Sequence, residues 1–315
     1  MRYKIKHVTR YEYADFVSLC QNHARLTPRS DHKQINLNSR IYVEPEPGYI
    51  DQYMDYYHNQ VTVFELPTQH KTLTVTAESE IQLLEQPDIR SLPDKYSWED
   101  VRHLLRHPEC LAEYSIEIQT LQCKASEGQT SENTDSLFSA AEFALPSPFV
   151  PIHPEMKQFA ELSFTPGRPL IDATYDLMAR IFHEFQYDPG FSTISTPILA
   201  VLQHKKGVCQ DFAHLAIGCL RSLGLAARYV SGYIETLPPE GQEKLEGADA
   251  THAWFAVYVP EIGWLDFDPT NNVTAKDQHI TVAVGRDFSD VTPLKGVVFG
   301  GGSNRLSVAV DVTRL

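Results

Sequence analysis

Positions 207–220 read GVCQDFAHLAIGCL. From Phe212 to Leu223 the residues are apolar nearly all round a helical projection, and Gly224 is the natural stop. A helix of that character belongs inside a domain, not on its surface. Cys219 lies within the apolar run, whereas Cys209 stands at its mouth, behind a glycine turn and ahead of two polar residues. A cysteine in the first turn of such a helix gains from two effects. Unpaired N–H groups point toward it, and the helix dipole favours thiolate over thiol. The same N–H groups, that of Cys209 included, suit the oxyanion that forms when a carbonyl carbon is attacked.

A nucleophilic thiol needs a base, and the stretch THAWFAVYVPEIGWLDFDPTNN (251–272) offers one in His252. On a strand, His252, Trp254, Ala256 and Tyr258 share one face, and Ala253, Phe255, Val257 and Val259 form the other, fully apolar face. The apolar face is expected to pack inward, with the histidine face lining a cleft. After a turn near 260–263, the next strand places Trp264, Asp266 and Asp268 on one face and Leu265 and Phe267 on the other. Turn length then decides the chemistry. A three-residue loop (260–262) sets Asp268 opposite Trp254 and diagonal to His252, about 7–8 Å away or somewhat less; a five-residue loop sets it directly opposite. Loops of two or four residues put Asp268 on the wrong face. Odd parity is the expectation, because an aspartate beside the imidazole fixes its tautomer and stabilises the imidazolium. Pro269 cannot donate to the ladder, so the strand ends just past Asp268.

Working outward, the segments YKIKHVTRYEY, RIYVEP, QVTVFEL and KTLTVTAESEIQLL read as short strands separated by breaks, which predicts an N-terminal antiparallel β domain over 1–90. A variable linker over 91–153 carries a short helix capped by SWED (97–100) and a surface loop, KASEGQTSENTDS (124–136), expected to be mobile. The third region, 154–315, contains a helix over 170–185 whose Leu170, Ala173, Leu177, Ile181 and Phe185 mark one buried face. Ser195-Thr196-Pro197 starts a short helix that ends before Gly207. The β-rich HITVAVGRDF and RLSVAVDVTRL close the chain. Strand–helix–strand alternation is absent, so the fold class is α+β.

The chain has 315 residues, 41 acidic against 27 basic side chains and a formal charge of -14. That balance opposes phosphate backbones and anionic lipid, so neither nucleic acid nor a membrane surface is an expected partner. The absence of a long apolar run or signal-like segment predicts a cytoplasmic protein. Cys20, Cys110, Cys123, Cys209 and Cys219 are odd in number and scattered, which fits neither a disulfide framework nor a zinc knuckle. There is no nucleotide-binding glycine loop, HExxH or calcium loop, so no cofactor and no metal is expected. The sequence sets no oligomeric state.

GVCQDFA, followed in order by THAW and GWLDFDPTN, resembles the core of the transglutaminase-like superfamily, a papain-like fold with a cysteine nucleophile. YKIKHVTRYEY, HARLTPR and HNQVTVFEL resemble the N-terminal β region of its bacterial members, and HITVAVGRDFSDVTPLKGVVFGG their C-terminal segment. The resemblance leaves 85–150 least matched. It implies a catalytic triad of Cys209, His252 and Asp268, of which Asp268 and not Asp266 fits the motif. It also places an aromatic oxyanion donor on Tyr187 in FQYDPG, and gives Gln210 and Asp211 the task of holding the helix start. His214 lies about 140° around the helix from Cys209 and is not the expected base. The implied chemistry is acyl transfer on peptide or side-chain amides, with hydrolysis favoured over transamidation because water needs no dedicated site. Two other readings stay open. One is a zinc site built from the same Cys, His and Asp. The other is a catalytically silent peptide-binding scaffold.

Overall fold

A computed structural model describes residues 1–111, 136–235 and 251–315. Residues 124–135 of the expected mobile loop lie outside the described residues. In chain order the elements are β1 (Arg2–Ala24), β2 (Gln34–Glu44), β3 (Tyr49–Met54), β4 (Gln60–Leu66), β5 (His70–Leu83) and α1 (Trp98–Arg106). Then come α2 (Pro154–Glu161), α3 (Leu170–Glu184), β6 (Gln186–Tyr187), α4 (Ile198–His204), β7 (Lys206–Gly207) and α5 (Cys209–Ser222). The chain continues through β8 (Ala227–Ile234), β9 (Thr251–Val259), β10 (Gly263–Asp268), β11 (Val273–Thr274), β12 (His279–Gly285), β13 (Leu294–Gly300) and β14 (Asn304–Arg314). The fold is α+β. Among the described residues, no helix is long and apolar enough to cross a membrane. The chain divides into two compact units: Met1–Gln86 with Val230–Ala253 and Lys276–Leu315, and Pro87–Tyr229 with Trp254–Ala275.

The first unit is organised by β1. Tyr3, Ile5, His7 and Thr9 point inward while Lys4, Lys6 and Arg10 face solvent, the alternation of a half-buried strand. β1 is the centre of the order β2-β5-β1-β4-β3, and β13 and β14 also pair with it, antiparallel. Ile5 lies against Val312 and His7 against Val310, so the C-terminal segment, which the sequence reading attaches to the catalytic region, completes the N-terminal sheet instead. A strand of 23 residues has edge enough for this. Where the pairing shifts between Glu12 and Val17, Gly300 takes φ 91, and a side chain there would meet the Phe16 carbonyl oxygen at 2.5 Å. Glycine is therefore required at that bend.

His7 is buried in this unit, with Nδ1 2.9 Å from the Tyr233 hydroxyl and Nε2 3.0 Å from Thr9 Oγ1. Burial lowers its pKa to about 4. A histidine depressed in the folded state contributes stability above its unfolded value and loses it as pH falls toward the folded one. From about 6.5 down to pH 5 the expected loss is about 2 kcal/mol. Urea midpoints should therefore fall between pH 7 and 5 more steeply in the wild type than in His7→Gln; equal slopes would contradict the assignment.

The second unit is built around α5, buried along nearly its whole length. The helix α1 opens on the expected cap: Ser97 N–H donates to Asp100 Oδ2 at 2.9 Å, and Asp100 N–H to Ser97 Oγ at 3.2 Å. α3 buries Leu170, Ala173, Leu177 and Ile181. α2 approaches α5 so closely that a side chain at Gly218 would lie 2.6 Å from Met156 Sδ. At the far end of α5 the buried Arg221 donates to the carbonyls of Phe143 and Ala227 and to Ser147 Oγ. From Trp254 onward β9 pairs antiparallel with β10, and β10 with β11. The expected cleft-lining face of β9 is buried: Trp254, Ala256 and Tyr258 are as enclosed as Phe255 and Val257. Two of those three are large aromatics, which supply a second apolar surface on the face that reads as polar.

Candidate active site

The start of α5 is set by backbone economy. Val208 N–H donates to Asp211 Oδ2 at 2.8 Å, and Ser192 Oγ donates to the same oxygen. The first intrahelical bond runs from Phe212 N–H to the Val208 carbonyl at 3.0 Å. The amides of Cys209, Gln210 and Asp211 thus stand in the turn that has no intrahelical acceptor. Burial raises the pKa of Asp211, while the Ser192 and Val208 donors pull it down. Gly207 is needed beside it: a side chain there would stand 2.8 Å from Asp211 Cβ and 2.9 Å from its Oδ2.

Cys209 is half-buried, whereas Cys20 and Cys219 are sealed. Burial pushes the Cys219 thiol up to about 12 and raises that of Cys20 as well, which leaves both as inert apolar groups at neutral pH. Tyr187 is held next to the helix start through its backbone. β6 and β7 pair in parallel with Tyr187 level with Gly207, and Asp188 N–H donates to the Gly207 carbonyl at 2.9 Å. The Tyr187 ring meets Phe212 edge-on at 6.5 Å and remains 53% exposed. Partial burial raises its hydroxyl pKa, and the neighbouring Cys209 and Asp211 add to the rise. The structure thus gathers Cys209, Asp211 and Tyr187 at one helix end.

The turn between β9 and β10 is the three-residue alternative: Val259 is level with Gly263, Asp266 with Ala256, and Phe267 with Phe255. One step further sets Asp268 level with Trp254, on the face that His252 shares. Asp268 is 0% exposed and ends β10 as Pro269 requires. Its Oδ1 accepts the N–H groups of Thr270 at 2.9 Å and Asn271 at 3.3 Å, and its Oδ2 accepts Asn271 Nδ2 at 2.7 Å. Asn271 is a positioning residue that the sequence reading passed over, although Asp-Pro-Thr-Asn is a pattern whose side chains bond the local backbone.

His252 belongs to the first unit, as the second residue of β9, and is 8% exposed. Its ring lies 6.1 Å from that of His279, centroid to centroid. The sequence reading also passed over His279; the one signal was a polar residue opening the apolar strand HITVAV. His214 is enclosed between the rings of Phe149 and Tyr229. Among the described residues, Cys209 belongs to no cluster of three metal-ligating side chains.

Residues 3–82 match the bacterial transglutaminase-like N-terminal region, and residues 158–269 the transglutaminase-like superfamily. Over 318 residues the chain is 35% identical to an uncharacterized protein of Mycobacterium tuberculosis, covering 99% of this chain and 92% of that one. The chain belongs to the transglutaminase-like superfamily. A second relative of this superfamily member, an uncharacterized protein of Mycobacterium leprae, is 31% identical over 100% of this chain and 99% of its own. A protein-glutamine gamma-glutamyltransferase of Pseudomonas aeruginosa is 31% identical over 105 residues, which are 31% of this chain and 16% of that protein. The fold is shared with a crystal structure titled "a Putative Cysteine Protease from Cytophaga hutchinsonii", with TM-score 0.68 and 17% identity over 99% of this chain and 90% of that one.

Proposed function

We propose that this transglutaminase-like protein is an enzyme of thiol-dependent acyl transfer on peptide or protein amides, with Cys209 as nucleophile, His252 as base and Asp268 orienting the imidazole. The observation that carries the reading is the opening of α5: a half-exposed thiol at a helix start fixed by Asp211, with Tyr187 alongside. The sulfur of Cys209 attacks the amide carbonyl carbon as His252 takes the thiol proton. The carbonyl oxygen becomes an oxyanion facing the Cys209 N–H and the Tyr187 hydroxyl. His252 returns the proton to the leaving amine, and a thioester remains. Water then gives the acid, or a second amine gives a new amide.

Hydrolysis is the preferred outcome of this reading, and the cytoplasm the preferred compartment, since the nucleophile has to stay reduced. The relatives support the class of chemistry. One carries the name protein-glutamine gamma-glutamyltransferase, and the fold neighbour is titled as a cysteine protease.

The test uses an activated acyl ester as acyl donor, followed by rapid quench and intact-mass analysis. One acyl group is expected on Cys209, removable by hydroxylamine as a thioester. A glutamine-containing peptide supplied with a primary amine then reads the partition between free acid and new amide. An acyl group on another residue, or no adduct with the activated ester, would sink the proposal.

A further inference from the structure

We propose that His252 and His279 together form a regulatory site for a divalent cation of the zinc class, which takes the base out of service when it binds. The inference rests on the reading of His252 as the base. Both imidazoles belong to the first unit, and both are buried, at 8% and 7% exposure. Their ring planes are tilted by 51°, and a ring nitrogen of each lies within 4.8 Å of the other. Zinc takes imidazole nitrogen at about 2.0–2.1 Å, which in tetrahedral geometry puts the two donors roughly 3.4 Å apart. About 1.5 Å of closing is needed, within reach of side-chain rotation shared between two rings.

The backbone beneath His279 is held on several sides, so the rings move and the strand stays. Tyr3 donates its hydroxyl to the Asp277 carbonyl at 2.8 Å, and Glu235 N–H reaches the Gln278 carbonyl at 3.4 Å. Arg314 pairs with Glu235 at 2.9 Å and donates to the Tyr3 hydroxyl at 3.0 Å, tying the C-terminal strand into the same support. Imidazole donors select zinc, copper, nickel and cobalt over magnesium and calcium, which take oxygen. Water completes the metal's coordination. Binding exchanges a proton or a local hydrogen bond for the metal and changes no oxidation state. Its consequence follows from lone pairs: an imidazole that donates to zinc has none left at that nitrogen to accept the Cys209 proton.

The test is calorimetric titration of the chelator-stripped full chain with zinc chloride, for the wild type, His252→Gln, His279→Gln and Cys209→Ser. One equivalent should bind to the wild type and to Cys209→Ser with equal affinity, and each histidine variant should bind at least tenfold more weakly. Cobalt should bind without a thiolate charge-transfer band. Undiminished zinc binding in His279→Gln, or weakened binding in Cys209→Ser, would overturn the site. Should a variant fold poorly, the wild type alone decides: zinc must shift the ring resonances of His252 and His279, and shifts confined to other histidines refute the proposal. Iodoacetamide labelling, with each variant's rate plus zinc divided by its rate without, separates the two ideas. If His252→Gln labels as fast as wild type in the absence of zinc, the base assignment fails while metal binding stands or falls on its own.

Discussion

Cys209→Ala should lower kcat/KM for acyl transfer by about 10³–10⁴-fold or more, and His252→Ala by a similar factor. The double variant should be no worse than the worse single, because a nucleophile without its base and a base without its nucleophile fail at the same step. The position of Cys209 is what makes the loss so large. Removing the sealed Cys219 thiol, whose pKa burial pushes up to about 12, takes away only a small apolar group. Circular dichroism must show the wild-type fold in each variant. A Cys209→Ala protein that keeps more than about a tenth of wild-type kcat/KM would contradict the assignment.

The second large effect is on stability. Arg221 anchors the end of α5 opposite the thiol, with its guanidinium donating to two backbone carbonyls and a serine hydroxyl in a buried position. A cation near a helix C-terminus also meets the negative end of the dipole. Arg221→Ala leaves those carbonyls without their donors and opens a cavity, so the expected loss is about 3–5 kcal/mol. Urea unfolding followed by tryptophan fluorescence measures it. Arg221→Lys keeps the charge but not the planar fork, and should recover only part of the loss. A midpoint unchanged in Arg221→Ala would mean that α5 is not held from this end.

The parts of the molecule legible in the sequence are those fixed by neighbours in the chain. The period of Leu170, Ala173, Leu177 and Ile181 announces α3, and the apolar run ending at Gly224 announces α5 with Cys209 at its head. The parity of the β9–β10 turn was legible too, though a three-residue and a five-residue loop satisfy it equally; the positive φ of Glu261 and Gly263 selects the tighter one. What local pattern does not carry is long-range pairing. Nothing in RLSVAVDVTRL names Tyr3–Tyr13 as its partner, so the return of β14 to β1 stays hidden until both strands are seen side by side. Aromatic residues mislead in a related way. Trp254 and Tyr258 make the histidine face of β9 look suited to a cleft, whereas it is buried like the other. Asn271 and His279 escaped notice because each acts through a neighbour: one on the Asp268 carboxylate, the other beside the His252 ring.

The most direct test of the central claim is the pH dependence of carboxymethylation by substoichiometric iodoacetamide, with the modified peptide mapped. The account predicts that label enters at Cys209 before any other cysteine, that the reaction persists to about pH 6.5, and that His252→Ala abolishes this low-pH reactivity. Label distributed among the cysteines, or a single rise near about pH 8.5 that His252→Ala leaves untouched, would contradict it.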